Sequence, residues 1–445
     1  MSNALTENER GANPFASDLT TNTPNKPAGN PKPGGYAELL RAVPAFRDLW
    51  LGQAISQLGD ALYYLVFLFM VEKVTGDPAM VGVAGVAQTL PFLLISPYAG
   101  VVADRFDRRT ILLWCDLLSG FALLAFGVYV FFDATPPAWA LIAAGATLST
   151  INAFFAPAKG AAIPQVVDEA RRQTANALSL ATQNLLPMVG VAVSGTLLAA
   201  LDAISPSYFF LSAVVLNSLS FFGSAVFIAR LPRLVPVHEK GDTEPNALKD
   251  VRDGFAYLRN ERVLWVLLWL NLLVQVAMAP FMLVYIVVNK DWFGGGYGTL
   301  ALCEVSFFVG VVACSLSIEK IKITRPGMAF IVGVAVIGVT VVLMAVSKWV
   351  WAFAFWNFVA GLAFPFVQLP MAGYIQRLVP QNFQGRVNAA MTMTGMGVAP
   401  ISIGLGGLLL SKVGAAVMIA IMGVGMTIAG LLGLADKQFR SVRSE

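Results

Sequence analysis

Three acids interrupt the apolar stretches of this chain: Asp60, Asp116 and Glu304. A carboxylate at hydrocarbon depth is costly unless it is paired, protonated or facing water, so each needs a role. Asp60 follows Ser56, Gln57 and Gly59, with no Lys or Arg read at similar depth, which suits it to take up and release a proton as solvent access alternates. Glu304 is a second site for a proton or for a cationic ligand. Asp116 lies close to Arg105, Arg108 and Arg109, the setting of a structural ion pair. Catalytic constellations are missing. The single histidine, His238, falls in a polar connection, so the apolar runs hold no His-based triad or His-rich metal site. There is no Walker-type phosphate loop, and Gly294-Gly-Gly296 has no lysine following in register. The reading is a non-enzyme with no metal or cofactor and no ATP site.

The elements that carry these acids are membrane helices. The chain has 445 residues, 57% hydrophobic and 13% charged, with mean hydropathy +0.70. Soluble domains carry about a quarter charged residues. Cys115, Cys303 and Cys314 all fall in apolar runs; Cys303 and Cys314 would lie roughly 16 Å apart on one helix, so no disulfide framework exists. Apolar runs predict spans at 48–71, 79–103, 111–132, 138–160, 174–201 and 206–229, then 263–289, 297–318, 326–346, 350–373, 387–411 and 413–434. With both termini inside, only Lys73, Lys290, Lys348 and Lys412 of the 30 Lys and Arg fall in outer loops. That asymmetry sets the expected orientation, N-in and C-in. Residues 1–35 predict a disordered cytoplasmic tail without the apolar run of a signal peptide, and 436–445 a cytoplasmic tail. The connection 230–262 holds Leu248, Val251, Phe255 and Leu258 on one helical stripe and divides the chain into bundles at 36–229 and 263–435. Residues 171–198 lie on 383–410 without gaps, matching Asn176 with Asn388, Thr182 with Thr394 and Gly195 with Gly407. A duplicated six-helix half predicts that placement.

One short turn organises the whole. Gly100-Val-Val-Ala-Asp-Arg-Phe-Asp-Arg-Arg109 packs five charges into the six residues from Asp104 to Arg109, between two apolar runs. Such a segment cannot sit in hydrocarbon, and its arginines place it on the cytoplasmic side. The pattern Gly-x-x-x-Asp-Arg-x-x-Arg-Arg after a second membrane helix resembles the loop signature of the major facilitator superfamily. Asp107 stands where many members have glycine, and Val102 where the family has leucine. This form, with Phe46-Arg-Asp-Leu-Trp-Leu-Gly-Gln-Ala-Ile-Ser-Gln-Leu-Gly-Asp60, is similar to the branch of enterobactin exporters and macrolide-efflux proteins. The second half keeps only Glu319 and Lys320 of the signature, and the Gly-Pro common in the antiporters' fifth helix is degenerate: Gly190-Val191, with Pro187 displaced.

The resemblance implies an all-α membrane protein of twelve transmembrane helices in two pseudo-symmetric six-helix bundles. It implies that helix 1, and so Asp60, lines a central cavity. It also implies a gating role for Gly100, Asp104, Arg105, Arg108 and Arg109: Asp104 would cap the eleventh helix or pair with Arg386, locking the halves at the cytoplasmic side. Uncharged amides offer further lining at Gln57, Asn152, Asn271, Gln275, Asn357 and Gln368, and Phe154, Phe155, Phe355, Trp356 and Phe358 an aromatic wall. A few acids in an apolar cavity suit a bulky amphipathic cargo better than a sugar. The expectation is proton-coupled export of a drug or siderophore by a monomer in a bacterial cytoplasmic inner membrane, with membrane lipids and a small-molecule substrate as partners and no nucleic acid. The alternatives are an importer or lysophospholipid transporter of the same fold, or a non-transporting membrane sensor or scaffold.

Overall fold

A computed structural model of the chain describes residues 35–133, 135–204, 209–235, 247–318, 321 and 323–443. The first half contains α1 (Tyr36–Ala42), α2 (Pro44–Thr75), α3 (Pro78–Arg105), α4 (Arg108–Phe132), α5 (Ala138–Val166), α6 (Glu169–Ile204) and α7 (Phe209–Ile228). After α8 (Ala247–Asn260) come α9 (Arg262–Met278), α10 (Phe281–Phe293), α11 (Tyr297–Ile318), α12 (Pro326–Val346), α13 (Val350–Leu378), α14 (Gln381–Leu432) and α15 (Lys437–Ser441). No strand occurs among the described residues. His238, Glu319, Lys320 and the 1–34 tail lie outside them.

Ten described helical stretches are long and apolar enough to cross a membrane. Two features account for the difference from the twelve spans expected. The stretch 383–435 reverses at Gly414, whose φ of 79° is left-handed and favours glycine. Met418 accordingly comes back to within 3.5 Å of where a side chain on Gly406 would start, so α14 is two antiparallel crossings joined by one residue. The other feature is α6, which is 36 residues long and packs among the spans on α2 and α11.

The span expected at 263–289 is present as one crossing, Arg262–Phe293, interrupted at Pro280, which has no backbone N–H and whose ring blocks helix continuation. This proline separates α9 from α10 and leaves the Val276 carbonyl without its helical donor. The Ser402 hydroxyl on α14 donates to that carbonyl at 2.5 Å, as buried backbone requires.

Packing repeats between the halves. In the first, α6 lies on its own-half α2 and on α11 of the other half; in the second, α14 lies on its own-half α9 and on α3. At the basic end, Leu39, Phe46, Leu49, Ile163, Leu231 and Leu234 form a cluster that seats α1 and the segment after α7. There α8 rests on α9 and α14 through Phe255 and Leu258; the Leu248 and Val251 side chains lie outside the described residues. Asp436 accepts from the Phe439 backbone N–H and pairs with Arg262 at 2.7 Å, tying α15 to the start of α9. Those contacts, the backbone one first, hold its carboxyl below the usual carboxylate range. Trp114, Trp139, Trp349 and Trp351 are exposed near helix ends, as interfacial belts require. Trp50 instead turns inward and donates to Thr182 on α6 at 2.8 Å.

Candidate functional site

The halves touch where α3 begins. Gly82 and Gly407 bring the α3 and α14 backbones together: a Cβ on either would meet the other's Cα at 3.0 and 2.9 Å. Beside this crossing, Lys290 of α10 forms an ion pair with the buried Glu72 in the last turn of α2. The end bearing Gly76 and Lys290 is therefore closed.

Below the closure lies a cavity of about 690 Å³, within the usual range for small-molecule sites. Asp60 of α2 and Glu304 of α11, on opposite halves, both line it. Gln57 and Asn152 line it as well. Asn271, Gln275, Asn357 and Gln368 do not: Asn357 is buried and donates to Phe353 of its own helix at 3.2 Å, and the other three are exposed elsewhere. The aromatic wall is also made differently. Phe155 belongs to it with Tyr64 and Phe92, whereas Phe355 is 54% exposed and rests on Trp356.

Asp60 sits on a shared wall. Behind it a smaller pocket of about 230 Å³ runs into the first half and ends at Asp116. The Asn217 amide of α7 donates to Asp60 at 3.3 Å. The expected ion pair between Asp116 and the loop arginines is not made. Asp116 is 1% exposed, faces the bundle interior and accepts from the Ser224 hydroxyl at 2.5 Å. The Tyr63 hydroxyl and the Gln57 and Gln88 side-chain oxygens are buried on these walls without a protein partner.

Sequence reading missed Lys159. It stands one residue before the end of the span expected at 138–160, and α5 continues through Pro157 and Pro164 to Val166. Lys159 is 9% exposed, lines the central cavity and has no ion pair among the described residues.

The charged turn is held within its own half. Asp107 caps α4, accepting from the Arg109 N–H at 3.1 Å, and also accepts from the Leu234 N–H at 2.8 Å. The Arg108 N–H donates to the Leu234 carbonyl, and the Arg109 guanidinium to the Ala229 carbonyl at 2.5 Å. Asp104 has no ion pair among the described residues, Arg105 is exposed, and a Cβ on Gly100 would meet nothing within 4 Å. The expected Asp104–Arg386 pair is absent because Arg386 is engaged elsewhere. It reaches Asp253 of α8 at 3.5 Å and lies over the Phe383 ring.

Comparison with known proteins agrees with this architecture. The bacterial homologue of the iron transporter ferroportin, solved in an inward-facing state, aligns over 91% of this chain and 100% of its own with a TM-score of 0.66 at 16% identity, a likeness of fold alone. Macrolide efflux protein A of Streptococcus pyogenes is 24% identical over 376 residues, covering 83% of this chain and 90% of that protein. The uncharacterized MFS-type transporter YfiS of Bacillus subtilis is 24% identical over 422 residues, 91% of this chain and 96% of its own. These relatives accord with the macrolide-efflux branch read from the charged turn. A family model described as Major Facilitator Superfamily matches residues 49–403, from the first crossing into the eleventh, and the chain belongs to that family.

Proposed function

We propose that the protein is a proton-coupled exporter of an amphipathic small molecule, a drug or siderophore, working by alternating access in a bacterial cytoplasmic membrane. The observation that carries this reading is the placement of Asp60 and Glu304, from opposite halves, on one cavity beneath a closed end. A carboxyl there is exposed to one side at a time, so its protonation couples to the rocking of the halves. The closed end corresponds to the outside and the basic end to the cytoplasm, with both termini inside. Asp104, without an ion pair among the described residues, then belongs to the inward-facing state, in which the cytoplasmic lock is undone. The unit of transport is the monomer, and no cofactor takes part.

The test is efflux from a pump-deficient bacterial host expressing wild type or Asp60→Asn at equal membrane level. The preloaded panel holds cationic dyes, macrolides and catecholate siderophores, each with and without a protonophore. Protonophore-sensitive efflux that falls at least tenfold in the variant is the expected result. Efflux that survives the substitution removes Asp60 from coupling. Accumulation instead of efflux replaces export with uptake.

A further inference from the structure

The central cavity is charged unevenly along its length, for beside its two acids it is lined by one lysine. Taking the helices as parallel rods, Glu304 lies roughly 10 Å from the closed end of its helix, Asp60 roughly 22 Å and Lys159 roughly 32 Å. The two acids thus occupy the closed and middle levels, and a single ammonium stands near the basic end.

Lysines near helix ends ordinarily extend their stems and put the ammonium in water. Lys159 is instead only 9% exposed, and it lines the central cavity together with Gln183 of α6 and Ala156 of its own helix. No carboxylate comes within ion-pair distance of it among the described residues. A withdrawn ammonium without a counter-charge is unfavourable in the empty cavity and is satisfied when a ligand brings an anionic oxygen.

We infer that Lys159 is a specificity residue for cargo bearing an acidic group, so that the substrate class is an amphipathic acid or zwitterion rather than a simple cation. The acid, whether carboxylate, acidic phenol or phosphate ester, sits on Lys159, and the apolar body lies along Phe92, Phe155 and Tyr64 toward Asp60. This inference rests on the cavity being the cargo site.

Two dyes of nearly equal shape test it: rhodamine 110, which carries a free carboxylate, and rhodamine 123, its methyl ester. Binding is measured by fluorescence anisotropy on purified protein in phosphatidylcholine nanodiscs, for wild type, Lys159→Gln and Lys159→Arg, with thermal melts reporting folding. Wild type binds the free acid about tenfold more tightly than the ester, Lys159→Gln brings that ratio to about one, and Lys159→Arg keeps it. An unchanged ratio in Lys159→Gln, or failure of wild type to bind either dye, overturns the proposal. Displacement of rhodamine 110 by phosphatidylglycerol in the disc also overturns it, by giving Lys159 to a lipid headgroup. Discrimination without dye movement into inverted vesicles leaves the Lys159 site standing and removes the transport reading instead.

Discussion

At the scale of single residues, the turn between α3 and α4 shows how one side chain serves two purposes. The carboxylate of Asp107 gathers the N–H groups of Arg109 and Leu234. It thereby caps α4 and pins the segment that leads out of the first half. Asp107→Ala removes a helix cap and leaves the Leu234 N–H without its acceptor, a loss of about 1–2 kcal/mol. The expected outcome is a melting temperature lower by a few degrees with the fold retained; an unchanged melt shows that water replaces the carboxylate at no cost. Asp60 and Glu304 stand out in the sequence because a charge among apolar residues is visible without coordinates. The partner of Asp116 is not, because Ser224 is 108 positions away and nothing about a serine on a later helix marks it as an acceptor's donor.

At the scale of helices, the crossing of α3 and α14 between the halves rests on the bare backbones of Gly82 and Gly407. A leucine at either position would need space that backbone atoms already occupy. Gly82→Leu therefore pushes α3 from α14 and disfavours the conformation closed at this end. The prediction is a transport rate reduced at least tenfold, with a cysteine placed at Ala399 in the cavity becoming more reactive to an impermeant thiol reagent added from the closed side. Labelling no faster than in wild type shows that the crossing closes without the glycine. The same scale explains the break inside the crossing Arg262–Phe293. Apolar runs measure hydrophobicity and not continuity, so a strongly apolar stretch does not disclose the interruption at Pro280. Whether a proline bends a helix or breaks it depends on a neighbour able to take the freed carbonyl, here Ser402.

At the scale of the whole molecule, the two halves are closed at one end by the α3–α14 crossing and by the pair between Lys290 and Glu72. The Lys290 side chain is half exposed, so the pair is worth no more than about 1 kcal/mol. Lys290→Glu places two acids together and weakens closure, changing transport by no more than about tenfold. Glu72→Lys combined with Lys290→Glu restores the attraction and most of the rate. A double variant no better than the single one assigns the loss to something other than the pair.

The sequence by itself determined the membrane class, the duplicated halves, the charged turn and two acids of the cavity. Each of these is written in local composition: a span by its run of apolar residues, a loop by its charges, a buried acid by its apolar neighbours. Tertiary structure alone decided which lining residues converge, because convergence depends on how helices distant in sequence rotate and cross. It chose Gln57 and Asn152 over Asn271, Gln275, Asn357 and Gln368, none of which lines the cavity. It gave Arg386 to Asp253 rather than Asp104, because an ion pair across the halves forms only when they close at that end. It also drew Lys159 into the cavity, because α5 continues two turns past the point where its apolar run ends.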